Sequence, residues 1–183
     1  MGQINKTIEV FERLRKNTYS IAIENGTVIN FRFMTNNYHH LAGFQHLNDF
    51  PHISDPRDKD RFYRDIRKAR IAEAEISSSV HYWRIQDRIQ NFGKLEDMLK
   101  PGESKVIIQF DGSIPYSKIK ATYFLFERDG AAFTGNVTYY HLFFGYDTEK
   151  CMYYPATFIV EHSNVYVREQ EFLNCVIEVL PRT

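Results

Sequence analysis

The sequence has no excess of charge of either sign and almost no cysteine. Its 183 residues include 23 lysines and arginines against 23 aspartates and glutamates. This balance disfavours a broad electrostatic grip on long nucleic acid, because such binding grows with the number of phosphates neutralised, although it is compatible with a local basic cleft. With only Cys151 and Cys175 in the chain, we expect free thiols in a reducing cytoplasm rather than a disulfide framework.

Long apolar runs are missing as well. The opening residues MGQINKTIEVF contain no apolar stretch of the kind found in signal peptides. No segment approaches the roughly 18 apolar residues that a membrane span requires. We therefore expect a cytoplasmic protein that does not associate with membranes.

The motifs of several common enzyme classes are absent. The sequence contains no GxGxxG, GxxxxGK[ST], HExxH, GxSxG or paired CxxC pattern. P-loop nucleotide hydrolysis, zinc proteolysis and α/β-hydrolase chemistry are therefore disfavoured. We expect no cofactor and no metal site.

Aromatic residues are plentiful, at 15% of the chain, and many lie after residue 115. Apolar residues recur at helical spacing in 4–16 and again within 58–99, whereas an Asn25-Gly26 turn joins two strand-like runs between 19 and 33. From 105 onward the pattern becomes strand-like, with short links that favour an antiparallel meander. We predict a single α+β domain over 1–183, helix-rich in 1–101, with an antiparallel sheet of about five strands in 102–183.

Histidines concentrate in one short region that contains His39, His40, His46 and His52. Their spacing matches no short zinc-binding pattern, and cysteine is absent from the region. A single imidazole is sufficient for acid–base catalysis, because its pKa lies near neutrality. The alternative is a histidine that caps or packs a helix end. Two adjacent histidines cannot share one helix face, so we expect at most one of the pair to enter a site.

Cationic side chains at two other places are candidates for phosphate binding. Arg88 follows Asp87 on a predicted helix and either clamps a phosphate or pairs with Asp87 or Glu96 at the surface. Lys118, Lys120 and Thr122 are predicted to project from one face of a strand. That face is either solvated or forms a positive groove.

Taken in order, four motifs resemble one nuclease family. The segment 33–44 reads FMTNNYHHLAGF, the segment 87–92 reads DRIQNF, the segment 120–125 reads KATYFL, and the segment 153–161 reads YYPATFIVE. Their order and spacing over roughly residues 19–180 are similar to the phage and prophage family described as barnase/EndoU/colicin/RelE-like nucleases, in its fourth phage branch. Tyr166 and Gln170 fit the end of the pattern.

The resemblance implies metal-independent cleavage of RNA by attack of the ribose 2′-hydroxyl on the neighbouring phosphate. By the same resemblance, His40 is the base or acid, and Arg88 and Lys120 stabilise the phosphate. Thr157 donates a hydrogen bond to it. RNA is the implied partner, and an inhibitor or other protein partner fits the same role.

Further candidates for substrate contact are Tyr154, which could orient or stack a base, and Tyr123 and His141 on neighbouring strands. One position departs from the family pattern, because Thr122 stands where relatives often carry an acid.

Two other functions compete with the nuclease hypothesis. A catalytically inactive phage protein could bind a host or defence protein through its aromatic-rich sheet. A regulatory nucleic-acid binder would show salt-dependent binding without turnover. RNA cleavage in a chelator distinguishes the nuclease from both.

Overall fold

The computed structural model describes residues 2–50, 58–102, 104–110, 112, 117–130 and 137–182. His52 lies outside these ranges, and so do most residues of two of the short links expected after residue 105. Within the described part of the chain, no helix is long and apolar enough to cross a membrane.

Helices dominate the first half, as the sequence predicts. They are α1 (Gln3–Leu14), α2 (Asn37–Leu41), α3 (Lys59–Arg67), α4 (Glu73–Ser77), α5 (Trp83–Gln90) and α6 (Lys94–Met98). A single 3₁₀ turn, Phe44–His46, follows α2. The predicted amphipathic face of α1 is confirmed, because Ile4, Ile8, Phe11 and Leu14 are all buried.

The helical spacing noted within 58–99 does not form one continuous helix in the structure. After α3, Ala69 adopts a left-handed backbone with φ +51°. The Ala69 amide donates to the Ile66 carbonyl and the Arg70 amide donates to the Asp65 carbonyl, which is the Schellman ending of a helix. Glycine usually occupies this left-handed position, so an alanine there gave no sign of a helix end.

Strands account for the rest of the regular structure. They are β1 (Asn17–Ile23), β2 (Val28–Arg32), β3 (Ser104–Gln109), β4 (Tyr123–Asp129), β5 (Thr138–Asp147), β6 (Met152–Glu161) and β7 (Phe172–Pro181). In the described residues they form one antiparallel sheet in the order β2-β1-β7-β3-β4-β5-β6.

This topology corrects two expectations. The sheet has seven strands rather than about five, because the N-terminal hairpin joins it. Only β3 to β6 form a meander, since β7 returns to lie between β1 and β3. The sheet curls until its edge strands β2 and β6 approach each other, which gives a nearly closed barrel.

The core lies on both faces of this curled sheet. The helices cover the concave face, where aromatic rings from helix and sheet meet; the Phe92 and Phe158 rings are 6.3 Å apart. A smaller cluster on the convex face joins Ile108, Phe124 and Phe143. Each buried aliphatic or phenylalanine side chain contributes about 1.5–3 kcal/mol to folding.

His141 belongs to the convex cluster and not to a polar strand face. Its side chain is fully buried, with its ring 5.5 Å from the Phe124 ring and 5.4 Å from the Tyr166 ring. Burial lowers the pKa of His141 to about 4, and the Ile159 backbone opposes that shift. The imidazole is therefore neutral at pH 7, and its complete burial is contrary to the expectation that His141 contacts a substrate.

The segment that carries Lys118 and Lys120 is not a strand. β4 begins at Tyr123, and residues 117–121 have no regular structure. Ile119 and Ala121 pack on the convex cluster, whereas Lys118 and Lys120 are exposed. Packing of alternate side chains over the sheet produced the two-residue pattern that resembled a strand.

Replacing Ala69 with glycine should stabilise the protein. A non-glycine residue in the left-handed region is strained by about 1–2 kcal/mol, and the lower entropy of unfolded alanine offsets part of this. We expect the free energy of unfolding in urea to rise by about 0.5–1 kcal/mol. Ala74→Gly, on the exposed face of α4, is the matched control and should lower it by about 1 kcal/mol. A loss of stability in Ala69→Gly would contradict the strained helix ending.

His141→Phe should reduce the sensitivity of the fold to acid. The unfolded chain takes up a proton at this histidine below about pH 6.5, whereas the folded chain does so only near pH 4. Folding stability from this group is therefore lost as pH falls, by about 2 kcal/mol between pH 7 and pH 5. Urea unfolding of His141→Phe at both pH values should show a smaller loss than wild type by about that amount. The exposed His162 offers a control, because His162→Gln should retain the wild-type loss. An unchanged loss in His141→Phe would contradict the buried neutral state.

Candidate active site

Helix α2 is short but firmly anchored, and it carries His40. Tyr38 is fully buried, and its hydroxyl lies 2.7 Å from Thr7 Oγ1 of α1. The Asn37 side chain accepts a hydrogen bond from the Met34 amide (2.7 Å) and donates one to the Pro155 carbonyl on β6 (3.3 Å). These contacts fix α2 against the edge strand of the sheet.

The two adjacent histidines of α2 point to different surroundings. His39 is buried, with its ring 5.7 Å from the Phe62 ring, and burial lowers its pKa to about 3. His40 is partly exposed in a cleft beside β6. Only His40 of this pair is therefore placed to meet a substrate.

Gly43 allows Arg88 of α5 to cross close to the end of α2. Gly43 has φ +83°, a left-handed conformation that favours glycine. A Cβ atom at this position would lie 3.0 Å from Arg88 Cδ and 3.1 Å from Arg88 Nη1. The glycine of the HLAGF segment thus leaves space for the arginine of the DRIQNF segment.

Thr157 on β6 connects Arg88 to His40. Arg88 Nη1 lies 3.5 Å from Thr157 Oγ1, at the long limit for a hydrogen bond. The Thr157 hydroxyl in turn donates to the His40 carbonyl over 3.3 Å. Three segments that are far apart in sequence therefore meet through one threonine hydroxyl.

Arg88 is a half-buried cation with no carboxylate partner among the residues the structure describes. Asp87, its neighbour, contacts His162 (3.2 Å) instead, and Glu96 pairs with Arg13 (2.7 Å). The surface-pairing alternative for Arg88 is thus not observed. Burial lowers the pKa of Arg88 to about 10, while Tyr166 and Glu161 oppose the shift. The guanidinium remains charged at neutral pH.

His40 is neutral at pH 7. Burial lowers its pKa to about 4, with further lowering by Lys59, His46 and Arg88. The Lys59 Nζ atom lies 2.7 Å from His40 Nε2. An ammonium group can only donate, so Nε2 is the acceptor and the ring proton resides on Nδ1.

These side chains surround a cleft of about 600 Å³, which we call the first cleft. Its cations are Arg88, Lys118 and Lys120, and its apolar wall includes Ile119 and Ile159. Its uncharged polar and histidine lining is His40, Gln45, His46, Ser117, Tyr154, Thr157 and Tyr166.

Five of the seven predicted site residues line this cleft. They are His40, Arg88, Lys120, Tyr154 and Thr157. The structure does not bring the other two there. Tyr123 is buried in the concave core, with its ring 6.3 Å from the Tyr153 ring, and His141 is enclosed in the convex cluster.

Other residues of the site were missed by sequence reasoning. His46 was considered only as a metal ligand, yet the 3₁₀ turn after Gly43 returns it to the first cleft, where burial, Arg88 and Arg84 lower its pKa. Lys59 lies among the charged residues of a predicted helix, and nothing in the sequence indicated that it contacts His40. Tyr166 was part of the family pattern without a role; burial and Glu161 raise its pKa.

Metal ligands do not cluster in the described ranges. No group of three or more His, Cys, Asp or Glu side chains there is arranged to hold an ion.

Comparison with known proteins agrees with the motifs. No curated protein and no solved structure matches the chain. One family model matches residues 3–177, which is nearly the whole length. The chain belongs to the family described as phage-Barnase-EndoU-ColicinE5/D-RelE like nuclease4.

Proposed function

We propose that the protein is an endoribonuclease that cleaves RNA by 2′-hydroxyl attack and needs no metal ion. The observation that supports this most strongly is the convergence of His40, Arg88, Lys120 and Thr157 on one cleft. Membership of a nuclease-like family supports the class of reaction. The particular chemistry is an inference from the side chains in the cleft.

His40 is the base in this proposal. A neutral imidazole accepts a proton, and the low pKa of His40 keeps it neutral at pH 7. Lys59 occupies Nε2 in the unliganded protein. A bound phosphate competes for the Lys59 ammonium, which frees the Nε2 lone pair, and the same anion raises the basicity of the imidazole.

Cations stabilise the charge that develops on phosphorus. Arg88 is held by its close packing on Gly43 and by Thr157, so it needs little reorganisation when the phosphorane forms. Lys120 is exposed at the rim and contributes a second positive charge. Thr157 donates its hydroxyl to a phosphate oxygen by exchanging its weak bond to the His40 carbonyl.

Tyr166 is the proton donor to the leaving oxygen. Burial and Glu161 raise its pKa, so the phenol keeps its proton at neutral pH. As His40 removes the 2′-hydroxyl proton, O2′ bonds to phosphorus and the bond from phosphorus to O5′ breaks. O5′ takes the Tyr166 proton. The products are a 2′,3′-cyclic phosphate and a 5′-hydroxyl, and solvent returns the proton from His40 to Tyr166.

Cleavage in the presence of EDTA tests the proposal. The purified protein should convert RNA into fragments with 2′,3′-cyclic phosphate ends, identified by mass spectrometry. His40→Ala should lower kcat by about 10²–10⁴, the usual contribution of a general base. His162→Gln is the control outside the cleft, and circular dichroism checks folding. Intact RNA at high protein concentration, or full activity of His40→Ala, would contradict the proposal.

Tyr166→Phe should lower kcat about 10²-fold or more on a ribodinucleotide. The loss should be under about tenfold on a ribonucleoside 3′-(4-nitrophenyl phosphate), because 4-nitrophenolate leaves without receiving a proton. His40→Ala should be impaired on both substrates, since both require removal of the 2′-hydroxyl proton. Steady-state rates on the two substrates give the comparison. Equal losses for Tyr166→Phe would show that this residue positions Arg88 and is not the acid.

A further inference from the structure

A second cleft of about 520 Å³ adjoins the first, and the two share His40 and Tyr154. Strands β2 and β6 and the start of α3 form its walls, with Arg32, Lys59 and Met152 among the lining residues. The proposed reaction uses only its border. The rest of this space has a composition suited to a further part of the substrate.

The second cleft is lined by three cations, and two of them are available to bind an anion. Lys150 is paired with Asp147 (2.8 Å). Neither Arg32 nor Lys59 forms an ion pair with any residue in the described part of the chain, and Lys59 reaches His40 instead. A phosphate that lies near Lys59 would therefore be adjacent to the proposed base.

Apolar side chains are unusually exposed around the same space. Met34 is 43% exposed, and Met152 and Tyr154 are each 37% exposed. All three line the second cleft. Flat aromatic and polarisable side chains beside cations provide the two contacts that single-stranded nucleic acid needs, namely base stacking and phosphate pairing.

Tyr154 stands between the two clefts in a fixed position. A Cβ atom on Gly145 would lie 2.5 Å from Tyr154 Cζ and 2.6 Å from its hydroxyl oxygen. The ring therefore lies directly on the Gly145 backbone, and β5 supports it from below. A supported ring with an exposed face loses little entropy when a base stacks on it.

We propose that the second cleft binds a third nucleotide, next to the two that flank the cleaved linkage, so that the substrate is single-stranded RNA of at least three nucleotides. This inference rests on the proposed function for the kind of polymer. It adds the length of the substrate and the strand state. Arg32 contacts the phosphate of the added nucleotide, and Tyr154 with Met152 packs on its base.

Two measurements on the same variants test the second cleft. The first is kcat/KM on a ribodinucleotide and on a seven-nucleotide RNA, which wild type should cleave at least about tenfold more efficiently, as one added phosphate and base contact predicts. Arg32→Ala and Met152→Ala should each remove most of this length advantage.

The second measurement is the Kd of a fluorescent 2′-deoxy heptanucleotide, which cannot be cleaved by 2′-hydroxyl attack. Arg32→Ala should weaken this binding and make it less salt-dependent by about one ion.

Arg128→Ala is the matched control. Arg128 is exposed on β4, opposite Tyr139, whereas the second cleft lies at the Asp147–Met152 end of β5 and β6. It should retain both the length advantage and the wild-type Kd. If Arg32→Ala and Arg128→Ala behave alike in both measurements, the second cleft is not a nucleotide site. If RNA is not cleaved but the two variants differ in Kd, the cleft is supported and the proposed reaction is contradicted.

Discussion

The close approach of Arg88 to Gly43 is the contact on which the rest of the site depends. It brings α5 against the end of α2, and the Arg88 guanidinium then reaches Thr157 on the edge strand β6. Any side chain at position 43 would meet both the arginine and an unfavourable left-handed backbone. The absence of a side chain at Gly43 therefore allows the helices to pack close to the sheet, with the Arg88 guanidinium between them.

Placing Arg88 there has a cost in folding free energy. A half-buried charge without an ionic partner among the described residues loses hydration that the long hydrogen bond to Thr157 restores only in part. Burial likewise opposes protonation of His40. An anion that enters the first cleft would relieve both penalties at once. In the proposed reaction, these unfavourable electrostatics would favour binding of the phosphate, as is common where stability and function conflict.

The sequence was most informative where local pattern decides structure. The amphipathic face of α1, the Asn25-Gly26 hairpin and the α+β class follow from spacing and turn chemistry. The position of β7 between β1 and β3 could not be predicted from the sequence, because strand order depends on pairing between distant segments. The same limit applies to the site. His40 and Arg88 belong to sequence motifs, whereas the contact between Lys59 and His40 depends on the fold. The burial of His141 likewise depends on aromatic neighbours from other parts of the chain.

A neutral chain is able to hold a cationic site because its charges are unevenly placed. Six lysines and arginines line the two clefts, and Asp147 is the one carboxylate among the described lining residues. Elsewhere, basic residues such as Arg13 and Lys105 are paired with acids. The low-dielectric walls around the cleft cations focus their electric field, so the clefts attract anions more strongly than the net charge of the chain indicates. An excess of cations in the two clefts is therefore compatible with zero net charge over the whole chain.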